Sequence, residues 1–192
     1  MGEMEVDSPV TILGLGGSLR YFSYSRRALL ETLAAVREVG GETIEWTVDE
    51  QPLPLYDDDL EAPAAAQRLR QAAQRADGLL FASPEYHNGI AGVVKNAIDW
   101  LRPRDVRDKP IGIIVVGGGT AGGHRALTHL RQVARGLGAF AIPAEVSIAN
   151  TDAIPPDGPW PDPATERHIQ RLGREIARYA VLFRAIRTHA EG

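Results

Sequence analysis

The chain contains no cysteine. That excludes a disulfide framework, a thiolate zinc site, an iron–sulfur cluster and a cysteine nucleophile. It also lacks any apolar run of the roughly 18 residues a membrane span requires. Met1 to Ser8 carries acidic side chains and no apolar run, unlike a secretory signal. Basic residues form no run: 21 Lys and Arg stand interspersed with 25 Asp and Glu, for a net charge of -4. A concentrated positive surface for nucleic acid is therefore not expected. There is no Gly-x-Ser-x-Gly nucleophile elbow, no His-Glu-x-x-His pair and no Gly-Lys-Ser/Thr phosphate loop. His124 and His129 do not share a helical face, and Asp57-Asp58-Asp59 lacks the spacing of a calcium loop, so no metal site is expected. These absences describe a cytoplasmic globular protein that engages neither nucleic acid nor membrane.

What is present is a core and an alternation. Of the 192 residues, 44% are hydrophobic, enough for one well-filled domain; residues 1–8 read as an extension and 9–192 as a single domain. Val10 to Leu15 is a buried strand ending in Gly16-Gly17. Leu29, Leu30, Leu33 and Val36 follow at helical spacing, up to Gly40-Gly41. Glu42 to Val48 alternates as a second strand. A Pro- and Asp-rich loop, 51–61, leads to an Ala-rich helix from Pro63 to about Ala76. Gly78 to Ala82 is a uniformly apolar third strand, the mark of a central parallel position, and Ile90 to Leu101 is helical. Ile111 to Val116 is a fourth strand, about Gly123 to Leu137 a helix, and Phe140 to Ile148 a fifth strand. After a Pro-rich loop from Ile154 to Pro161, Asp162 caps a last helix with Pro163 at its first position. Its inward stripe runs Ile169, Leu172, Ile176, Tyr179, Phe183, Ile186.

Five strands alternating with five helices imply an α/β fold, a three-layer sandwich around a five-stranded parallel sheet of order 2-1-3-4-5. Ligands of such sheets lie beyond the carboxyl ends of the strands, near the switch point. Three chemically suggestive loops fall there. Gly16 to Arg26 offers Ser18, Ser23, Ser25, Arg20 and the free N–H groups of a helix start, a combination that suits a phosphate; by itself it also reads as a glycine turn with a serine cap. Ser83 to Ile90 offers backbone amides and Tyr86, whose ring can stack on a flat heterocycle. Gly117 to Gly123 formally matches the dinucleotide fingerprint. It follows the fourth strand rather than the first, and the only acid at a suitable distance, Glu145, falls inside the fifth strand. Its glycines serve better to bring backbone close to a flat ring.

The string from Pro84-Glu85-Tyr86-His87-Asn88-Gly89-Ile90 to Asn96-Ala97-Ile98-Asp99-Trp100-Leu101 resembles the signature of the NADPH-dependent FMN reductase family. These are flavodoxin-like flavin, quinone, azo and chromate reductases. The first loop and the Gly117–Leu130 region resemble that family as well, so similarity runs from about Val10 to Phe140. The resemblance implies that Ser18, Arg20, Ser23 and Ser25 hold an FMN phosphate. It implies too that Pro84, Glu85, Tyr86, His87 and Asn88 border the ring and ribityl chain, and that Gly118 and Gly119 approach the ring. Two positions depart from the family pattern: Ser25 stands where Asn is common, and Asn88-Gly89-Ile90-Ala91 replaces a Ser- and Pro-containing rim where substrate enters.

The function implied is an NAD(P)H-dependent oxidoreductase. NADPH or NADH would pass hydride to the flavin N5, and a flavin, quinone or other acceptor would then take the electrons. No side chain is nominated as a catalytic acid, base or nucleophile. Two other readings stay open: an FMN enzyme dedicated to one metabolite, and a non-enzymatic flavodoxin-type electron carrier. The latter resemble one another in a Thr-rich phosphate loop without arginine. Trp100 with Leu101 ends an amphipathic helix and by itself reads as core; the resemblance further implies a homodimer or dimer of dimers, with contacts through that helix, and a flavin-dependent monooxygenase as a candidate partner.

Overall fold

In the computed structural model the described residues are 8–151, 155, 158–160 and 162–190; residues 1–7 of the expected extension (1–8) and half of the loop from Ile154 to Pro161 lie outside them. Five parallel strands form the sheet: β1 (Thr11–Gly16), β2 (Glu42–Thr47), β3 (Gly78–Tyr86), β5 (Pro110–Val116) and β6 (Phe140–Ile148), with a two-residue β4 (Gly89–Ile90). Their order is β2-β1-β3-β5-β6, with β4 antiparallel to β3. This is the expected order once the small extra strand is counted.

Strand chemistry follows position. β5 is buried at every residue, whereas β6 at the edge alternates between buried and exposed. Pro143 lies where the β5–β6 register shifts, between the pairs Ile111–Ala141 and Ile113–Glu145. A residue without an N–H is tolerated at such an edge irregularity.

Successive strand residues feed opposite faces. Leu13, Leu15, Leu79, Phe81, Ile111, Ile113 and Val115 meet α2 (Ala64–Arg75), α3 (Gly92–Asp99), the short α4 (Pro103–Val106) and α5 (His124–Gly136). Ile12, Leu80, Ala82, Ile114 and Val116 meet α1 (Tyr24–Glu38) and α6 (Pro163–Ala190). Each face buries its own apolar cluster, which makes the three layers. On the second face α1 and α6 come very close: a Cβ on Gly173 would lie 2.6 Å from Ala35 Cβ and 2.7 Å from the Thr32 carbonyl oxygen.

Three sequence expectations shift. β3 runs to Tyr86 rather than stopping at Ala82, and turns back through His87 (φ 50°) and Asn88 (φ 67°) into β4. Two consecutive positive φ values are the mark of a tight two-residue hairpin turn; the turn residues are His87 and Asn88, and both types tolerate the left-handed region better than most. The helix expected from Ile90 therefore begins only at Gly92. Ser83 fixes the crossing, since its buried hydroxyl accepts from the Ala91 N–H (2.9 Å) and donates to the Pro84 carbonyl (2.8 Å).

The stripe on α6 holds through Ile169, Leu172 and Ile176 and then passes to Ala177 and Ala180, leaving Ile186 63% exposed. A 28-residue helix is about 42 Å long, while a nine-residue strand spans about 30 Å, so its end overshoots the sheet. The Asp162 cap is present: its Oδ1 accepts from the Ala164 N–H at 2.8 Å. Trp100 and Leu101, candidates for a contact between copies, are buried in this chain's own core; the Trp100 indole N–H donates to the Pro54 carbonyl at 3.0 Å.

Candidate active site

Register brings the carboxyl ends of the central strands level, pairing Gly16 with Ala82 and Pro84 with Val116. The loops leaving these ends enclose a cavity of about 230 Å³. Its walls include Ser18, Arg20, Ser23 and Ser25 from the first loop, Pro84, Glu85 and Tyr86 from the second, and Gly118 from the third. Three segments about 30 or more residues apart thus meet at one opening, where Arg20 and Tyr86 are exposed.

The first loop is shaped by backbone. The Gly17 N–H donates to the Ala82 carbonyl (3.1 Å), drawing the chain across the end of β3. Gly16 has a φ of 155°, and a Cβ there would sit 2.0 Å from the Ala82 carbonyl oxygen, so only glycine allows this approach. The hydroxyls then interlock. Ser18 Oγ donates to Ser23 Oγ (3.0 Å), and Ser23 and Ser25 Oγ lie 3.1 Å apart. Ser23 is also the cap of α1, accepting from the Arg26 N–H at 3.2 Å. A buried hydroxyl cluster at a helix start, with an exposed guanidinium beside it, is a donor set for a dianion. Arg26 takes no part in it, because its guanidinium is held by Asp49 (2.7 Å) and Glu50 after β2.

The second and third loops are tied to one another. Glu85 Oε2 accepts from the Ala126 N–H (2.9 Å) in the first turn of α5. His87 and Asn88 sit at the hairpin tip, outside the lining of the cavity, and Asn88 Oδ1 accepts from Arg125 (2.6 Å). Gly119 is likewise outside the lining; its carbonyl accepts from the Asn150 N–H at 3.1 Å.

Sequence reasoning did not single out Phe22, Tyr24, Val116 or Thr151, which also line the cavity. Thr151 had a findable signal, since it follows β6 at the same end of the sheet. It is buried, and its hydroxyl donates to the Gly117 carbonyl at 3.3 Å.

Residues 10–153 match the NADPH-dependent FMN reductase family. The chain belongs to that family. A potato NAD(P)H:quinone oxidoreductase is 36% identical over 180 residues, covering 88% of this chain and 92% of the relative. An NAD(P)H-dependent FMN reductase of Pseudomonas aeruginosa is 43% identical over 129 residues, 64% of this chain and 68% of its own. Among solved structures, the flavoenzyme NAD(P)H:(acceptor) oxidoreductase of Paracoccus denitrificans superposes with a TM-score of 0.73 at 26% identity, over 91% of this chain and 98% of that one.

Membership in the FMN reductase family makes the protein an oxidoreductase that uses FMN and NAD(P)H, on a flavodoxin-like fold. The competing reading of Gly117–Gly123 as a dinucleotide fingerprint loses its acid as well. Glu145 is paired with Arg131, whose Nε lies 2.9 Å from Oε2. Among the described residues no helix is long and apolar enough to cross a membrane.

Proposed function

We propose that FMN lies across these three loops, its phosphate held by Ser18, Arg20, Ser23 and Ser25. Pro84, Glu85 and Tyr86 would form one wall and Gly118 the other. The observation that carries this reading is the interlocked serine cluster at the start of α1, opening into the same cavity as Tyr86 and Gly118. Donors for a dianion stand at one end, and an aromatic ring with a glycine backbone at the other, which fits the two halves of a flavin mononucleotide. A cavity of about 230 Å³ is small beside a whole flavin mononucleotide, so the larger, flat part of such a ligand would lie in its mouth, open to a second planar molecule. His87, Asn88 and Gly119 then belong to the rim that a substrate meets.

When bound, FMN supplies the redox chemistry, taking two electrons as hydride from NAD(P)H and passing them to an acceptor. The chain's own part is to bind, orient and shield. The α1 amide end and the hydroxyls favour the anion, and Arg20 adds a charge-assisted bond. No side chain in the cavity is required to take or give a proton.

Among acceptors we favour a quinone, because the potato quinone oxidoreductase matches along most of both chains. Free flavin handed to a partner monooxygenase and a single dedicated metabolite are the other outcomes of the same assay. We also infer a homodimer or a dimer of dimers, because Leu19, Tyr21, Phe22, Leu55 and Leu60 are exposed apolar side chains that assembly would cover. A cysteine-free chain suits the reducing cytoplasm.

The test has two parts. FMN titration should quench flavin fluorescence saturably, and NADPH or NADH oxidation should then be accelerated by a benzoquinone. Absence of FMN binding refutes the assignment of the cleft. FMN binding without NAD(P)H oxidation leaves the electron-carrier reading standing instead. Sedimentation velocity reads the assembly.

A further inference from the structure

The helix that begins beside the Gly-rich turn cannot cap itself. α5 starts after Gly123, which has a φ of 82°, carries no side chain to accept a bond, and is followed by no acidic residue in the first turn. A side chain there would be strained by that backbone and pressed against Val115. A Cβ on Gly123 would lie 3.3 Å from Val115 Cβ and 3.6 Å from Glu85 Cβ. The close approach that demands glycine thus leaves the first-turn N–H groups without a local acceptor. Glu85, at the end of β3, fills the role from another element: its Oε2 accepts from the Ala126 N–H, the third helical residue, where a cap side chain would normally act. A carboxylate also suits the positive end of a helix.

The turn itself is gripped from the opposite side. The Gly117 carbonyl accepts from Thr151 Oγ1 (3.3 Å), the Gly119 carbonyl from the Asn150 N–H (3.1 Å) and the Gly122 carbonyl from Ser147 Oγ. All three anchors belong to β6 or the residues just after it. The β3 side is held by Glu85 and, at the exposed hairpin tip, by the Arg125–Asn88 bond.

From this we propose that Glu85 is a positioning residue, capping α5 from β3 and so holding the Gly117–Gly123 turn at the spacing the cleft needs. The proposal rests on the cleft being the FMN site. Beside lining the cavity, Glu85 then acts on the flavin through the turn, and what matters for the turn is an oxygen acceptor at that place rather than its negative charge.

Hydrogen exchange of the flavin-free full chain reads the clamp independently of FMN. Glu85→Ala should speed amide exchange across 117–127 about tenfold, as expected for the loss of a cap side chain, and Glu85→Gln, which keeps an acceptor, should recover most of the protection. FMN affinity should follow the same order, falling about tenfold in the alanine variant and largely recovering in the glutamine one. Unchanged exchange in Glu85→Ala overturns the proposal. So does equal loss in both variants, which would place the effect in the charge, and so does full FMN affinity in a Glu85→Ala protein with a loosened turn. Should Glu85→Ala not fold, Asn88→Ala on the exposed tip should still raise exchange at the start of α5 about two- to threefold, and no change there refutes the clamp. If the wild-type chain binds no FMN while exchange responds as described, the assignment of the cleft falls and the clamp stands.

Discussion

At the residue scale, the same loop holds two different kinds of requirement. Arg20 is exposed and, among the described residues, has no carboxylate partner, so its removal should leave the fold alone. On the proposed assignment, Arg20→Ala should weaken FMN binding about tenfold or more through loss of a charge-assisted bond, with an unchanged melting temperature; fluorescence titration and a thermal melt together check this. Gly16→Ala should do the opposite. Its Cβ would be driven to 2.0 Å from the Ala82 carbonyl oxygen, so β1 and β3 must part or the loop must move. A loss of about 3 kcal/mol or more is expected, combining overpacking with backbone strain, and urea unfolding measures it. That the serines and Arg20 stand at one opening was legible because their loop leaves the carboxyl end of the first strand of a parallel sheet. The partners of Arg26 were not, since Asp49 and Glu50 lie more than twenty residues away and nothing local points to them.

At the scale of elements, period and punctuation revealed the strands and helices, and the misplaced boundaries have one origin. The β3–β4 hairpin is hidden in the sequence because a two-residue β4 has no periodicity of its own, and its turn residues, His87-Asn88, are not one of the strong hairpin dipeptides. The apolar stripe on α6 continues in sequence past the end of its packed face, because periodicity reports which face is apolar and not how far the sheet extends beneath it. Helix–helix approach was equally hidden. Gly173→Ala places a methyl 2.6 Å from Ala35 Cβ, forcing α1 and α6 apart; a loss of about 1–3 kcal/mol is expected in chemical unfolding, although alanine favours helix by about 1 kcal/mol over glycine. A stability equal to wild type would show that the two helices slide without penalty.

For the molecule as a whole, Lys109 ties the lower ends of several elements together. It is buried, and its Nζ donates to the carbonyls of Ala73 (2.7 Å), Gln74 (2.9 Å) and Asp105 (3.1 Å). Burial, with repulsion from Arg187, lowers its pKa from 10.5 to about 8. The folded chain therefore sheds this proton before the unfolded chain does. Between about pH 8 and 10.5 the unfolded state binds more protons, and Lys109's contribution makes stability rise with pH across that window. Lys109→Met should flatten the rise; urea unfolding near pH 7.5 and 9.5 compares the two proteins. By itself the sequence determined the layered α/β fold, its strand order and which loops leave the carboxyl ends of the central strands, because burial period, turn residues and crossover handedness are local or general constraints. Only the tertiary structure decided which side chains in those loops face a common cavity, which serve as caps or ion pairs, and that Trp100 belongs to the core. Those assignments depend on distances between segments that no local pattern encodes.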